Sequence, residues 1–177
     1  RQLMPATYLR RATQADLPAI TAIIDNAKAY LKKQNIDQWQ DGYPDPATLK
    51  QDIKDGITFV LIFDGAIAGT AALHQGIDIN YLKIDDGDWI TGIDARYTAI
   101  HRIAVASNFR GQHLSEKLMS GLISISNVLG FQDVRIDTHP DNKGMRHVIT
   151  QCGFDYRGKV YMQRDHALRY AYELVIK

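Results

Sequence analysis

The sequence predicts an α/β fold, classed as α+β in some schemes, in which helices cover both faces of a mixed, mostly antiparallel sheet with a central parallel strand pair. Three observations support this fold class. Residues 96–138 have the pattern of strand, helix and strand, and such a crossover normally places its two strands parallel. Asp64-Gly65 separates two apolar runs, which is the strongest short signal for a hairpin. Residues 154–162 and 168–176 have the pattern of a final antiparallel pair.

The first half of the chain contains two helices and then the hairpin. Apolar residues at helical spacing predict a first helix that ends near Lys32, with Thr13 or Asp16 as its N-cap. Pro18 then falls in the first turn, where proline is tolerated, and Gly56 ends the second helix. The predicted elements are an extended segment at 8–11, the first helix, a loop at 35–44, a helix from 46 or 47 to 55, and strands at 57–63 and 66–74.

The second half of the chain alternates strands and helices. Leucine and isoleucine residues between 114 and 129 fall on one helical face, and Gly130 ends that helix. A shorter helix ends at Gly153. The predicted elements are a strand at 96–106, a helix at 114–129, a strand at 134–138, a helix at 142–152, and the final strands at 154–162 and 168–176.

Length and composition exclude several classes of protein. A chain of 177 residues predicts one domain over residues 1–177, with residues 1–6 as a loose terminus or a remnant of cloning. The formal net charge of +1 gives no pull toward nucleic acid or an anionic membrane. No apolar run approaches the ~20 residues that a membrane helix needs. Cys152 is the only cysteine, which excludes an internal disulfide and a cysteine-based metal cluster; we expect a cytoplasmic location and no metal.

Residues 100–115 are the segment that carries chemistry, because a strand leads there through a tight turn into a helix. The first N–H groups of a helix have no internal partner and its dipole is positive at that end, so a phosphate or pyrophosphate fits. Arg110 would add a charge-assisted contact, and Gly111 allows close backbone approach. The segment is neither a P-loop nor a dinucleotide fingerprint. An ordinary strand–turn–helix joint is the alternative interpretation.

These residues resemble the phosphate-binding motif of the GNAT superfamily of N-acetyltransferases. That motif is Gln or Arg, two residues, Gly, one residue, then Gly or Ala. Arg110 matches the first position and Gly111 the common Arg-Gly variant, while His113 and Ser115 replace the two small residues. Asn142 follows the next strand and precedes a helix that ends in Gly-Phe, as in the family. The order of elements matches the family over almost the whole chain, and further segments resemble bacterial members of undetermined substrate.

The resemblance implies that acetyl-CoA is the co-substrate. Its pantetheine arm would pair with the strand backbone, its pyrophosphate would bind the N–H groups of the turn, and Asn142 would contact the pantetheine arm. Asn142 can also be a plain helix N-cap. At the turn, His113 would either donate to a phosphate or narrow the pyrophosphate site. The implied binding residues are Ile103, Ala104, Val105, Arg110, Gly111, Gln112, His113, Leu114, Ser115 and Asn142.

The resemblance also implies a reaction, in which a primary amine of a small molecule or peptide attacks acetyl-CoA directly in a ternary complex. Such an amine is protonated near neutral pH and must lose a proton. Where relatives carry a strand Glu this chain has Ala99, and where many carry a Tyr general acid it has Ile149. The usual base and acid are therefore missing. A side chain elsewhere or a water relay would serve, since proximity alone supplies much of the acceleration.

His101, His139 and Tyr97 are the candidate catalytic residues. His101 shares a strand face with Ala99 and Tyr97, and an imidazole titrates in the useful range. A packed or hydrogen-bonded core histidine is the alternative for His101. His139 lies just past the end of the next parallel strand, a common place for sites in α/β folds, with a loop-capping group as the alternative.

The sequence defines the binding site of the amine acceptor less clearly than that of the donor. Tyr30, Trp39 and Tyr81 are candidates for lining an acceptor pocket, although aromatic residues also fill cores. A homodimer is the default expectation for association. Two other functions stay open: a non-catalytic acyl-CoA sensor of the same fold, and a structural protein whose final strands pair with a second copy.

Overall fold

The computed structural model describes residues 4–109 and 111–177, and in these residues a seven-stranded sheet is combined with four α-helices. The strand order is β1-β2-β3-β4-β5-β7-β6. The helices are α1 (Leu17–Lys33), α2 (Pro46–Lys54), α3 (Leu114–Val128) and α4 (Lys143–Gln151). The strands are β1 (Thr7–Arg11), β2 (Thr58–Phe63), β3 (Ala66–Gln75), β4 (Thr98–Val105), β5 (Asp133–Thr138), β6 (Asp155–Tyr161) and β7 (Leu168–Val175).

The predicted fold class is confirmed. β4 and β5 form a parallel pair in which Thr98–Ile100 lie beside Val134–Ile136. The β1–β2, β2–β3, β5–β7 and β6–β7 pairs are antiparallel. The hairpin turns at Asp64-Gly65, where both residues have positive φ. Three short 3₁₀ helices, at Gln14–Asp16, Ile79–Tyr81 and Ser107–Phe109, were not predicted.

The chain forms two compact units, and their boundaries fall within β3, β4 and α3. The first unit takes in residues 4–72 and 102–121 of the described chain, and the second takes in residues 73–101 and 122–177. That residues 1–177 form a single domain stays a prediction. Within the described residues, no helix has both the length and the apolar character needed to cross a membrane.

In the first unit, helices lie on both faces of the strands. Val60 and Ile62 of β2 belong to a buried cluster with apolar residues of α1 and α2. Leu61 points to the opposite face, where it shares a groove with residues of α3. There α3 lies close to β1, because a Cβ added at Gly121 would be 2.4 Å from Leu9 Cδ1. The alternation along β2 therefore explains the two layers.

In the second unit, a buried arginine organises the core. The guanidinium of Arg135 stacks on Trp89 and Tyr97, with its Cζ 4.2 and 3.9 Å from the ring centres. The same guanidinium donates to the Gly92 carbonyl at 2.5 Å and to Glu173 Oε2 at 3.3 Å. A buried charge is tolerated only when it is paired and hydrogen-bonded in this way. The cluster explains why Arg135 is fully buried in a strand.

The outer edge of β6 is partly covered by the chain before β4. Asp85 and Lys159 exchange two backbone hydrogen bonds of 2.8 Å each. Lys159 Nζ also lies 3.0 Å from Asp86 Oδ2. β7 is enclosed between β5 and β6. These contacts cover the edge of β6 at Lys159, and pairing of the final strands with a second copy stays a prediction.

The covered edge of β6 predicts a large effect for Gly87→Ala. A Cβ at Gly87 would lie 1.8 Å from the Arg157 carbonyl oxygen, so the backbone would have to move. We expect the free energy of unfolding to fall by about 1–3 kcal/mol in urea titration. Gly144→Ala is the matched control, because the nearest atom to its added Cβ is 4.0 Å away and alanine favours the helix. Equal stability of the two variants would contradict the close approach.

Candidate active site

The first unit carries the strand–turn–helix segment of the predicted donor site. β4 ends at Val105, and Ala106 N–H donates to the Ala68 carbonyl at 2.8 Å, which ties the turn to β3. Ala104 is buried, while Ile103 and Val105 are half-buried. The β4–β5 register is defined over Thr98–Ile100, and pairing of Ile103, Ala104 and Val105 with a pantetheine arm stays a prediction. Arg110 lies outside the described residues.

The turn before α3 leaves its backbone open. Gly111 has a φ of +80° and no atom within 4 Å of an added Cβ. Gly111, Gln112 and His113 are exposed, whereas Leu114 is buried and anchors the helix. Ser115 is half-buried in the first turn. An exposed turn that leads into the N-terminus of a 15-residue helix has the geometry and dipole to bind an anion.

His113 has the backbone conformation of a glycine. Its φ is +55°, in the left-handed region that L-residues avoid. It occupies the first Gly position of the resembled motif, and its backbone has a conformation that glycine adopts readily. The departure from the motif therefore adds a side chain at a position with a glycine-like backbone.

His113→Gly is expected to raise the free energy of unfolding by up to about 1 kcal/mol, because the relief of left-handed strain exceeds the entropy cost of glycine. Thermal and urea unfolding measure the change. His166→Gly is the control, since His166 has a φ of +58° outside this turn. A loss of stability only at His113 would mean that its side chain makes a stabilising contact. Calorimetry with CoA on the same variant separates the two interpretations of His113.

Asn142 lies in the second unit and is the N-cap of α4. Its Oδ1 accepts a hydrogen bond from the Met145 N–H at 3.2 Å. The N-cap interpretation is therefore confirmed. A role for Asn142 toward the pantetheine arm stays a prediction, since an N-cap uses only the amide oxygen.

His101 forms a close pair with Asp78 in the second unit. Its Nε2 lies 2.5 Å from Asp78 Oδ2, and its side chain is 18% exposed. Asp78 is itself held firmly: its N–H donates to the Tyr97 hydroxyl at 2.7 Å, and the N–H of Asn80 donates to its Oδ1 at 2.9 Å. Burial alone would raise the pKa of Asp78, but the hydrogen bond and charge of His101 outweigh it and lower that pKa to about 2.

A second carboxyl lies on the same side. Tyr81 donates its hydroxyl to Asp137 Oδ2 at 2.6 Å, and the Tyr81 ring lies 6.0 Å from the His101 ring. Burial raises the pKa of Asp137, and the charges of His101 and Arg169 offset part of that rise. Burial also raises the pKa of Tyr81, so its hydroxyl stays protonated. His101 thus lies in a polar cluster with Asp78, Tyr81 and Asp137.

The other two catalytic candidates have structural partners. Tyr97 is fully buried, and its hydroxyl accepts the Asp78 N–H, so it holds the carboxylate that faces His101. His139 Nδ1 accepts the Asp141 N–H at 3.0 Å, which is the loop-capping contact that was the alternative interpretation. His101 Nε2 lies 2.5 Å from Asp78 Oδ2, whereas His139 Nδ1 lies 3.9 Å from Asp141 Oδ2; the two histidine side chains are 18% and 17% exposed. The catalytic role of His101 is still a prediction.

The acceptor-pocket candidates lie in different surroundings. Tyr30 on α1 is 50% exposed, and Trp39 in the loop after α1 packs against the first unit's buried cluster. Tyr81 belongs to the second unit and is fully buried. Tyr81 is therefore a hydrogen-bonding core residue, whereas Tyr30 and Trp39 keep their predicted role as lining candidates.

A buried ion pair fixes the loop that carries Trp39. Arg102 has a φ of +51° within β4. It donates from Nε to Asp52 Oδ2 at 2.6 Å and from a terminal nitrogen to the Tyr43 hydroxyl at 2.8 Å. The guanidinium of Arg102 therefore joins β4 to α2 and to the loop between α1 and α2. The sequence contains no signal that pairs Arg102 with Asp52, which are 50 positions apart.

Sequence reasoning also missed Asp78 and Asp137. Asp137 had a weak signal, because it alternates with Asp133 and Arg135 on one face of β5. Asp78 lies in a turn-rich segment among several other aspartates, and no spacing rule distinguishes it. Within the described residues, no group of three His, Cys, Asp or Glu side chains is arranged to hold a metal.

Comparison with known proteins defines the class. The model of the acetyltransferase (GNAT) family matches residues 24–154. A GNAT-family acetyltransferase from Streptococcus agalactiae is 33% identical, covers 100% of this chain and 99% of its own, and superposes with a TM-score of 0.90. The chain therefore belongs to the GNAT acetyltransferase family.

More distant structures share the fold. The yncA structure from Salmonella typhimurium, determined with acetyl-CoA, is 19% identical over 97% of this chain and 95% of its own, with a TM-score of 0.67. The AAC(6')-Ib structure, in complex with ribostamycin and coenzyme A, is 17% identical over 96% and 93%, with a TM-score of 0.70. No match was found among curated proteins.

Proposed function

We propose that this protein is an N-acetyltransferase that moves the acetyl group of acetyl-CoA to a primary amine of a small molecule or peptide. The amine attacks directly in a ternary complex, and the reaction takes place in the cytoplasm. Membership of the family supports acetyl transfer. The observation that carries the proposal is the close contact of His101 with an ionised Asp78, because amine acetylation needs a base and the usual one is replaced by Ala99.

The donor is assigned to the residues of the resembled motif. The backbone of Ile103, Ala104 and Val105 pairs with the amide groups of the pantetheine arm, as an exposed strand edge can. The N–H groups of residues 111–115 bind the pyrophosphate. Two related structures hold CoA or acetyl-CoA, which supports this donor. Asn142 and Arg110 complete the assignment, and no metal is required.

The removal of a proton from the acceptor amine is assigned to His101. The amine arrives as an ammonium ion, and His101 removes its proton so that the nitrogen lone pair is free to attack. Asp78 is a positioning residue that fixes the imidazole and stabilises the charge that it gains, as a carboxylate does in other histidine pairs. Tyr97 acts through Asp78, because its hydroxyl accepts a hydrogen bond from the Asp78 N–H. His139 is the second candidate base.

Calorimetric titration with acetyl-CoA and CoA tests the donor site. We expect micromolar binding by the unaltered chain and its loss in Gly111→Trp, because the new side chain would fill the open turn. Gly130→Trp is the matched control: Gly130 also has a positive φ and no atom within 4 Å of an added Cβ, but it follows the other end of α3. Equal loss in both variants would mean unfolding, and binding retained in Gly111→Trp would place the phosphates elsewhere.

An acyl-CoA sensor is the second candidate function. It is favoured by the absence of the usual acid and base, which Ile149 and Ala99 replace. A sensor would bind acetyl-CoA without releasing CoA in the presence of any amine. Turnover therefore separates the two candidates.

A further inference from the structure

We propose that Asp137 is the acid that protonates the sulfur of the departing CoA, and that Tyr81 holds its carboxyl in place for that step. The inference rests on the acetyl transfer proposed above. It supplies the acid that is missing, because Ile149 stands where many relatives carry a tyrosine.

The end of the parallel ladder places Asp137 beside the proposed base. The β4–β5 register pairs Ile100 with Ile136, so His101 and Asp137 are the next residue on each strand. Residues two apart on a strand share a face, and Ala99 is paired with Arg135. His101 and Asp137 therefore lie on the same face of neighbouring strands, at the point where the pairing stops.

The contact of Asp137 with Tyr81 orients one oxygen of its carboxyl. Tyr81 donates to Oδ2 at 2.6 Å, and Tyr81 itself is completely buried, so this oxygen is fixed by the core. A hydrogen bond from a neutral phenol holds a carboxyl without supplying a charge that would force it to ionise. A proton on Asp137 would then reside on Oδ1.

The surroundings of Asp137 favour its neutral form. Its burial raises its pKa, and the carboxylate of Asp78 acts in the same direction. His101 on β4, Arg169 on β7 and the Tyr81 hydroxyl act in the opposite direction, and burial exceeds them. A raised pKa lets Asp137 hold a proton at a higher pH than an ordinary aspartate does, which is what a proton donor needs.

The proton balance of the transfer closes with these two groups. The amine nitrogen forms a bond to the thioester carbonyl carbon, and the carbon–sulfur bond breaks with its electron pair on sulfur. Before attack, His101 takes one proton from the ammonium ion and releases it to bulk water. As the amide forms, His101 takes the second proton that the nitrogen loses, and Asp137 gives its proton to the sulfur. The proton on His101 then returns to Asp137, directly or through water. One ammonium ion and one thioester give one amide, one thiol and one proton released to solvent.

The test combines kinetics with a direct observation of the carboxyl. Carboxyl ¹³C NMR of Asp-labelled protein follows Asp137 between pH 4 and 9, and its signal is assigned by its loss in Asp137→Asn. CoA release is measured with acetyl-CoA and ribostamycin, spermidine or phenethylamine. We expect Asp137→Asn to lower kcat about 10²-fold with KM for acetyl-CoA unchanged. The fall of the wild-type rate at alkaline pH should disappear in the same variant.

Two further variants separate an acid from a structural residue. Tyr81→Phe removes a hydrogen bond that favours the ionised form, so the alkaline fall in rate should move to higher pH. Asp133→Asn is the matched control, because Asp133 is another buried carboxyl on the same face of β5 and its pKa is raised to about 7. This control should keep the wild-type kcat and pH profile.

The outcomes are distinct. If the wild type releases CoA but Asp137→Asn keeps its kcat and alkaline limb, or if Asp137 titrates as an ordinary aspartate, the proposal for Asp137 is overturned and the acetyltransferase remains. If the wild type releases no CoA with any of the amines, the proposed function fails and the role of Asp137 fails with it.

Discussion

Replacing His101 by glutamine is expected to lower kcat for amine acetylation by about 10²–10⁴-fold, the usual contribution of a general base. Glutamine is close in size and keeps a polar group near Asp78, but it cannot take a proton from the ammonium ion. Steady-state CoA release measures the effect. Binding of acetyl-CoA should be retained, because the donor is assigned to other residues. The loss should therefore appear in kcat.

Matched variants isolate the role of His101. His147→Gln changes an exposed histidine of α4 and should keep the wild-type rate. His139→Gln decides the second candidate: a rate near the wild type supports its loop-capping contact as its whole role. If His101→Gln keeps its kcat while His139→Gln loses it, the two assignments are reversed.

The partner of His101 has a defined dependence on pH. The pKa of Asp78 is lowered from 3.8 to about 2, so the folded state favours its ionised form. This carboxyl contributes stability of about 2 kcal/mol that is fully present above about pH 4 and is lost as the pH falls toward 2. Asp78 is therefore charged in any assay near neutral pH. Asp78→Asn should lower kcat and reduce the loss of stability below pH 4.

Replacing Arg102 by methionine is expected to lower the free energy of unfolding by about 3–5 kcal/mol, because it leaves a buried carboxylate without its partner. The side chains of Arg102 and Asp52 are only 14% and 11% exposed. The substitution also removes the hydrogen bond to the Tyr43 hydroxyl. Urea unfolding measures the change. The size of this loss follows from the Asp52 carboxylate, which stays desolvated without a counter-charge.

An exposed ion pair is the control for Arg102. Lys159 Nζ lies 3.0 Å from Asp86 Oδ2, but their side chains are 34% and 69% exposed, so Lys159→Met should lower the free energy of unfolding far less than Arg102→Met. Adding Asp52→Leu to Arg102→Met should recover part of the lost stability, since no charge is then left buried. Equal effects of Lys159→Met and Arg102→Met on the free energy of unfolding would show that burial does not govern these pairs.

Local patterns were sufficient to predict the elements of the fold. Helical spacing, the Asp64-Gly65 turn and the glycines that end helices are encoded by neighbouring residues. The parallel pair followed from the handedness and length of one crossover. The position of β7 between β5 and β6 is different, because it depends on which strand edge is free when the last strands form. No local pattern contains that information.

The candidate site also has one part that local sequence could predict and one part that it could not. The turn at 111–115 was predictable because a strand, a turn and a helix follow one another in the chain. The pairs His101–Asp78 and Tyr81–Asp137 join residues 23 and 56 positions apart. Such partners are selected by tertiary packing, and aspartate is too common in this sequence to indicate which one is used. His113 is the opposite case. Its backbone conformation is a local property, but a histidine gives no sign of a positive φ as a glycine would.

The most direct measurement is CoA release from acetyl-CoA by the wild type and His101→Gln, with ribostamycin, spermidine and phenethylamine as acceptors near neutral pH. We expect release that depends on the amine in the wild type and falls at least about 10²-fold in the variant, with acetyl-CoA still bound by both. Tight binding of acetyl-CoA with no amine-dependent release by the wild type would contradict catalysis and identify a sensor of acyl-CoA.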